Sequence, residues 1–228
     1  MEPSIVVPGV HRLEQVLAWG WSMSMHLLAL PDGGVLVHSP TWCGDGTFEA
    51  VEAIGEVRAI LAPNHFHHLS LARFRQRWPD AIAVAAPAAL PRLARKGHAD
   101  LRDLDALTPL LPAGARAIPC AMKSGEAWLS WPTPDGAALV VCDAFFHVTR
   151  PVRGFRGWVL RRLQIAPGLC FGATTRRLAI ADRAAFLAWA TSAIADVAPT
   201  WLIPSHGAAL HDPDLAGRLQ ALLAARLA

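Results

Sequence analysis

The chain is poor in the features that would remove it from the ordinary globular class. It has no tyrosine, and its four cysteines (Cys43, Cys120, Cys142 and Cys170) are widely spaced and form no C-x-x-C pair. That spacing favours reduced core thiols over a disulfide framework. Charge of one sign is also scarce: the formal net charge of +3 gives no argument for a nucleic-acid partner. No apolar run is long enough to cross a bilayer, and residues 1 to 8 lack a basic region followed by an unbroken apolar core. A cytoplasmic protein with no membrane partner is the expectation. There is no low-complexity block and no short-period repeat. What remains is a chain of 228 residues, 53% hydrophobic and 17% charged, which suits one well-filled domain over 1–228.

Patterning along the chain separates strands from helices. Ser24 to Leu30 and Gly34 to Val37 flank Pro31-Asp-Gly-Gly, a strong hairpin signal. Val57 to Ala62 is a short, partly β-branched apolar run of the kind that forms a buried strand. Helices are expected from Thr47 to Ile54, Ser70 to Trp78 and Pro87 to Lys96, then again from Asp182 to Asp196 and Asp212 to Leu227. Strands therefore open as hairpins and then alternate with helices, twice. This order predicts an α/β architecture with helices outside paired sheets.

Chemistry concentrates where the strands end. The run Ala59-Ile-Leu-Ala-Pro-Asn-His65-Phe-His67-His68 places three imidazoles on a strand-to-helix turn, at the carboxyl end of a strand, where open α/β sheets put their ligands. Leu139-Val-Val-Cys-Asp143, Trp201-Leu-Ile-Pro-Ser-His206-Gly and Val35-Leu-Val-His38-Ser-Pro40 repeat the same arrangement, an apolar strand with a ligand-type residue at its tip. Taken alone, Asp143 is an ordinary strand-end aspartate and His206 a turn histidine. Their order along the chain is what raises them.

That order resembles the metallo-β-lactamase superfamily, from about Met23 to Gly207, in a divergent sub-group with Ser-Pro after the hairpin and Pro-Asn…His-His at the centre. The resemblance implies a four-layer αββα sandwich with a metal site on one edge. It also implies a ligand set of His65, His67, His68, Asp143 and His206, with Asp143 and His67 as the catalytic residues. His38, where the family has aspartate, is expected to orient a ligand from behind. The central motif departs from the family's H-x-H-x-D-H: Pro63 stands in place of the first histidine, and His67 in place of the aspartate. The family's middle histidine is absent, with Cys120 or Glu126 as substitutes.

Such nitrogen and oxygen ligands suit one or two Zn²⁺ ions, with iron or manganese as alternatives. A bound divalent ion lowers the pKa of water from ~15.7 to about 7, giving a hydroxide able to attack an ester, thioester or phosphoester.

Residues 150 to 177 carry seven of the 21 lysines and arginines, and no acidic residue occurs from 144 to 181. This stretch follows Asp143 directly. Arg153 and Arg156 are therefore expected to bind a small anionic substrate, while a solvated basic face or a homo-oligomeric contact explains the same pattern. Three readings follow: a metal-dependent hydrolase, a catalytically silent binding or regulatory protein on the same scaffold, and an iron-dependent oxidoreductase.

Overall fold

In the computed structural model, the described residues are 2–18, 20–150 and 152–227. The first half builds a six-stranded sheet in sequence order. Its strands are β1 (Ser4–Val7), β2 (Val10–Val16), β3 (Ser22–Ala29), β4 (Gly34–His38), β5 (Glu56–Ala62) and β6 (Ile82–Ala85). The first four pair antiparallel, and β4, β5 and β6 run parallel. The parallel crossovers are α1 (Thr47–Glu52) and α2 (Leu71–Arg77), followed by α3 (Leu90–Ala94).

The second half supplies β7 (Arg116–Pro119), β8 (Ala127–Thr133) and β9 (Gly136–Val141), then β10 (Phe146–Val148) and β11 (Gly168–Cys170), then β12 (Trp201–Pro204) and β13 (Leu210–His211). β13-β12-β9-β8-β7 form a five-stranded sheet, and β10 pairs with β11. The helices here are α4 (Gly154–Arg162), α5 (Arg183–Val197) and α6 (Leu215–Leu227).

Side-chain alternation along the strands stacks these elements into four layers, since successive residues point to opposite faces. Leu28, Leu36, Ala59 and Leu61 from the first sheet meet Leu129, Val140 and Ile203 from the second. On its outer face the first sheet buries Val37 and Ile60 against Val51, Leu71 and Phe74 of α1 and α2. The outer face of the second sheet buries Trp128, Leu139 and Leu202 against Phe186, Ile194, Leu219 and Leu223 of α5 and α6. The expected helices over Thr47–Ile54, Ser70–Trp78 and Pro87–Lys96 are all present but shorter. Gly46, at φ +83°, rather than Thr47, occupies the cap position of the first of them, and no side chain caps it. A single turn of 3₁₀ helix, Leu104–Leu107, interrupts what reads as loop in the sequence.

The parallel pairing of β12 with β9 brings the carboxyl ends of those strands together, and Ser24 N–H donates to Ser205 C=O at 2.7 Å to tie the first sheet to the same edge. Beneath that edge lies a polar inclusion in the inter-sheet core. His26 and His38 are directly opposed on β3 and β4, fully buried, with ring centroids 5.7 Å apart. None of their four ring nitrogens has a hydrogen-bond partner among the described residues. Burial holds the His38 imidazole down to about 3, aided by the nearby His67, and burial with His38 and Arg12 also lowers His26 well below its ordinary value.

Both rings are therefore neutral in the folded chain, and both take up a proton on unfolding below the ordinary histidine pKa. Stability from this source is intact above about pH 6.5 and declines as the pH falls toward 3, with a slope of up to about 1.4 kcal/mol per pH unit for each ring. Urea unfolding at several pH values between 7.5 and 4.5 should show His38→Leu losing less stability on acidification than the parent. An unchanged acid slope in the variant contradicts a neutral buried pair.

Candidate metal centre

Three strand ends deliver the site. His67 sits on the turn after β5, Asp143 just past β9 and His206 just past β12. Their facing atoms form one compact cluster: His206 Nε2 lies 3.2 Å from Asp143 Oδ1, His67 Nε2 lies 3.6 Å from the same oxygen, and the two Nε2 atoms are 3.3 Å apart. A tetrahedral ion with bonds of about 2.0–2.1 Å holds its ligand atoms roughly 3.3 Å from one another. The three separations therefore fit the edges of one such coordination shell. Among the described residues this is the group of histidine, cysteine and acidic side chains whose donor atoms converge closely enough for an ion.

Each of the three side chains is aimed by a partner on its far side. His206 Nδ1 lies 3.0 Å from the carbonyl of Ser22, which can only accept, so Nδ1 carries a proton and Nε2 is the atom that faces the cluster. The His206 ring is stacked on Phe146 at 5.6 Å and flanked by Trp21 at 5.1 Å. His67 Nδ1 meets Ser39 Oγ at 2.9 Å, which fixes the ring so that Nε2 faces inward. Ser39 pays for this position with a left-handed backbone, φ +59°, unusual for a residue with a Cβ.

Asp143 is held from both ends. Asn64 Nδ2 donates to Oδ2 at 2.7 Å, leaving Oδ1 for the histidines, and Thr175 Oγ1 donates to the Asp143 carbonyl at 2.8 Å. Burial acts to raise the Asp143 pKa, but His67 and His206 outweigh it and hold the carboxyl well below its usual range.

The other expected ligands turn elsewhere. His65 Nδ1 donates to the Ser124 carbonyl at 2.8 Å, and its Nε2 lies 3.3 Å from an Arg92 guanidinium nitrogen, so both ring nitrogens are engaged outside the cluster. His68 keeps company with His98, ring centroids 6.0 Å apart. On a tight turn, neighbouring residues point in divergent directions, and of the three histidines only His67 faces Asp143.

His38, expected to orient a ligand, makes no such bond; its neighbour Ser39 does. Glu126, one of two substitutes for a missing histidine, accepts backbone N–H bonds from Cys142, Asp143 and Ala144 at 3.0–3.1 Å and so clamps the loop that carries Asp143. Burial and the neighbouring Asp143 charge raise its pKa, against the opposing pull of those three N–H groups. Cys120 is buried and lies outside the cluster.

Nor do Arg153 and Arg156 line the cavity over the site. That space, about 330 Å³, is bounded by Phe66, His67, Ser124, Asp143 and Phe146, and by Thr174, Thr175, Leu178 and Ala179 from a π-helical turn. The arginine-rich stretch reaches the site through this turn, and Arg153 instead precedes the first residue of α4.

Comparison of the whole chain with solved structures decides the architecture. The crystal structure of DIM-1 metallo-β-lactamase superposes with a TM-score of 0.65 over 99% of both chains, at 12% identity. The fold is that of the metallo-β-lactamases. A metallo-β-lactamase from Pontibacter korlensis matches with a TM-score of 0.63 at 12% identity, covering 98% of each chain. Rubredoxin oxygen:oxidoreductase from Desulfovibrio gigas matches at 0.68 and 9% identity, covering 99% of this chain and 61% of its own. No protein-family model and no curated sequence matches the chain. The metallo-β-lactamase-like sandwich expected from the sequence is thus present at identities where strand order and layer geometry alone are shared.

Sequence reasoning missed Asn64, Ser39 and the Ser22 carbonyl. Asn64 reads as a turn former, and only its full burial marks a further duty. Partners of this kind typically change metal affinity by roughly 10–100-fold when removed. Ser39→Ala should therefore weaken zinc binding by about that factor in a competition titration, with the fold unchanged by circular dichroism. Equal affinity in the variant would remove Ser39 from the account.

Proposed function

We propose that this chain is a metal-dependent hydrolase of a small ester or thioester, with His67, Asp143 and His206 holding one divalent ion. The single observation that carries the reading is the spacing of the three donor atoms, 3.2, 3.3 and 3.6 Å, at the joined ends of three strands. An ion bound there supplies a Lewis acid and lowers the pKa of a coordinated water from ~15.7 to about 7.

The protein's part is positioning and charge. Asp143 stays ionised through the neutral range and gives the site its negative charge, with Oδ1 directed at the imidazoles and Oδ2 fixed by Asn64. His206 directs Nε2 at the cluster because the Ser22 carbonyl holds a proton on Nδ1. Phe146 and Trp21 shield that ring from water on one side. His65 serves the turn instead, bridging Ser124 and Arg92.

Zinc is the favoured ion, since the separations match a tetrahedron. Iron is the second reading: two imidazoles with one carboxylate also form a non-haem iron set, and an oxygen:oxidoreductase shares the fold.

Zinc titration of the metal-free protein should saturate at roughly one equivalent. Asp143→Asn and His206→Ala should each lower the affinity by about 100-fold or more and abolish hydrolysis of a p-nitrophenyl ester, while His65→Ala changes the affinity only a few-fold. Tight binding of iron with no ester hydrolysis favours the second reading, and failure to bind either metal returns a silent binding protein.

A further inference from the structure

The cavity beside the trio has a character of its own. Of its nine lining residues, Asp143 is the one with a formal charge, and the broad surfaces are those of Phe66, Phe146, Leu178 and Ala179. Phe66 and Leu178 are 50% and 62% exposed, large apolar side chains standing at the rim where solvent would ordinarily favour polar ones. Paired exposed hydrophobics around a concave site mark a surface awaiting an apolar partner. Two hydroxyls of the lining residues are uncommitted among the described residues: that of half-buried Thr174, and that of Ser124, which is 2% exposed. Thr175, by contrast, already spends its hydroxyl on the Asp143 carbonyl.

A volume of about 330 Å³ is at the small end for a ligand site, so the group it takes is compact. An anion is a poor occupant. No basic side chain lines the cavity, so its wall offers an anion no charged partner.

We propose that this cavity is the subsite for a compact, uncharged apolar group, an aryl ring or a short branched acyl chain, held between Phe66, Phe146 and Leu178. This rests on the trio being the reacting centre, and it replaces the anionic group expected at Arg153 and Arg156 with a neutral one. The apolar moiety sits beside the donor atoms, and the bond to be cleaved is the one that joins it to the rest of the substrate.

The test separates the subsite from the chemistry. Phenylacetamide, phenylacetate and glycerol 3-phosphate are titrated into the metal-free full chain and followed by protein NMR shifts. Phenylacetamide should bind, and more tightly than either anion. Its Kd should rise about tenfold or more in Phe66→Ser and in Leu178→Asn, both substitutions at exposed side chains that leave folding intact. Phe155→Ser, at an exposed aromatic outside the cavity, should leave the Kd unchanged.

Absence of phenylacetamide binding overturns the proposal, as does a preference for either anion or indifference to the Phe66 and Leu178 changes. The zinc-loaded protein then reports separately. Binding that responds to both variants, without hydrolysis of any aryl or branched acyl ester, keeps the subsite and sinks the hydrolase. Hydrolysis that is equally fast for acetate and aryl-acetate esters, and unmoved by Leu178→Asn, keeps the hydrolase and sinks the subsite.

Discussion

One buried amide joins the two halves of the molecule at the point where chemistry is possible. Asn64 is fully enclosed at the end of β5. Its Oδ1 accepts the backbone N–H groups of Phe66 and His67 at 2.8 and 3.1 Å, closing the turn that carries His67, and its Nδ2 reaches across to Asp143 Oδ2 in the other half. A single side chain thereby sets both the histidine and the carboxylate. A hydrogen bond to an ionised group is worth more than a neutral one, and a buried amide left unpaired is costly, so this bridge resists every other local arrangement.

Around that bridge the site is over-determined. Glu126 grips the Asp143 loop through three consecutive backbone N–H groups, Thr175 holds its carbonyl, Ser39 orients His67 and the Ser22 carbonyl orients His206. Gly207 follows His206 at φ +94°, and a Cβ there would stand 2.1 Å from the His147 carbonyl oxygen, so the turn past the last ligand admits only glycine without displacement. Four of these supports come from segments far apart in the chain. The sandwich brings their ends to one edge.

The architecture was legible in the sequence because it is written in local terms. Alternation and apolar runs mark β3, β4, β5 and β9; Pro-Asp-Gly-Gly marks the hairpin; and ligand-type residues at strand tips mark the edge on which the site lies. Asp143 and His206 follow from that grammar. The divergence of His65, His67 and His68 does not. Which ring on a tight turn faces a carboxylate 75 residues from the nearest of them depends on the Asn64 closure, which is a tertiary contact. Ser39 was hidden behind His38 for a similar reason: a left-handed residue at the end of β4 turns the neighbouring side chain, rather than the histidine, toward His67. Arg153 and Arg156 do not line the cavity, a placement the sequence leaves open because charge clustering carries no direction and no local signal says where α4 lies.

The central claim is that a metal ion sits between His67 Nε2, Asp143 Oδ1 and His206 Nε2. An anomalous-difference map at the zinc edge, from a crystal grown with zinc, tests it most directly. The account predicts one peak about 2 Å from each of those three atoms. A peak coordinated by His65 or His68 in place of His67, or a zinc-soaked crystal with no peak between the three side chains, would contradict it.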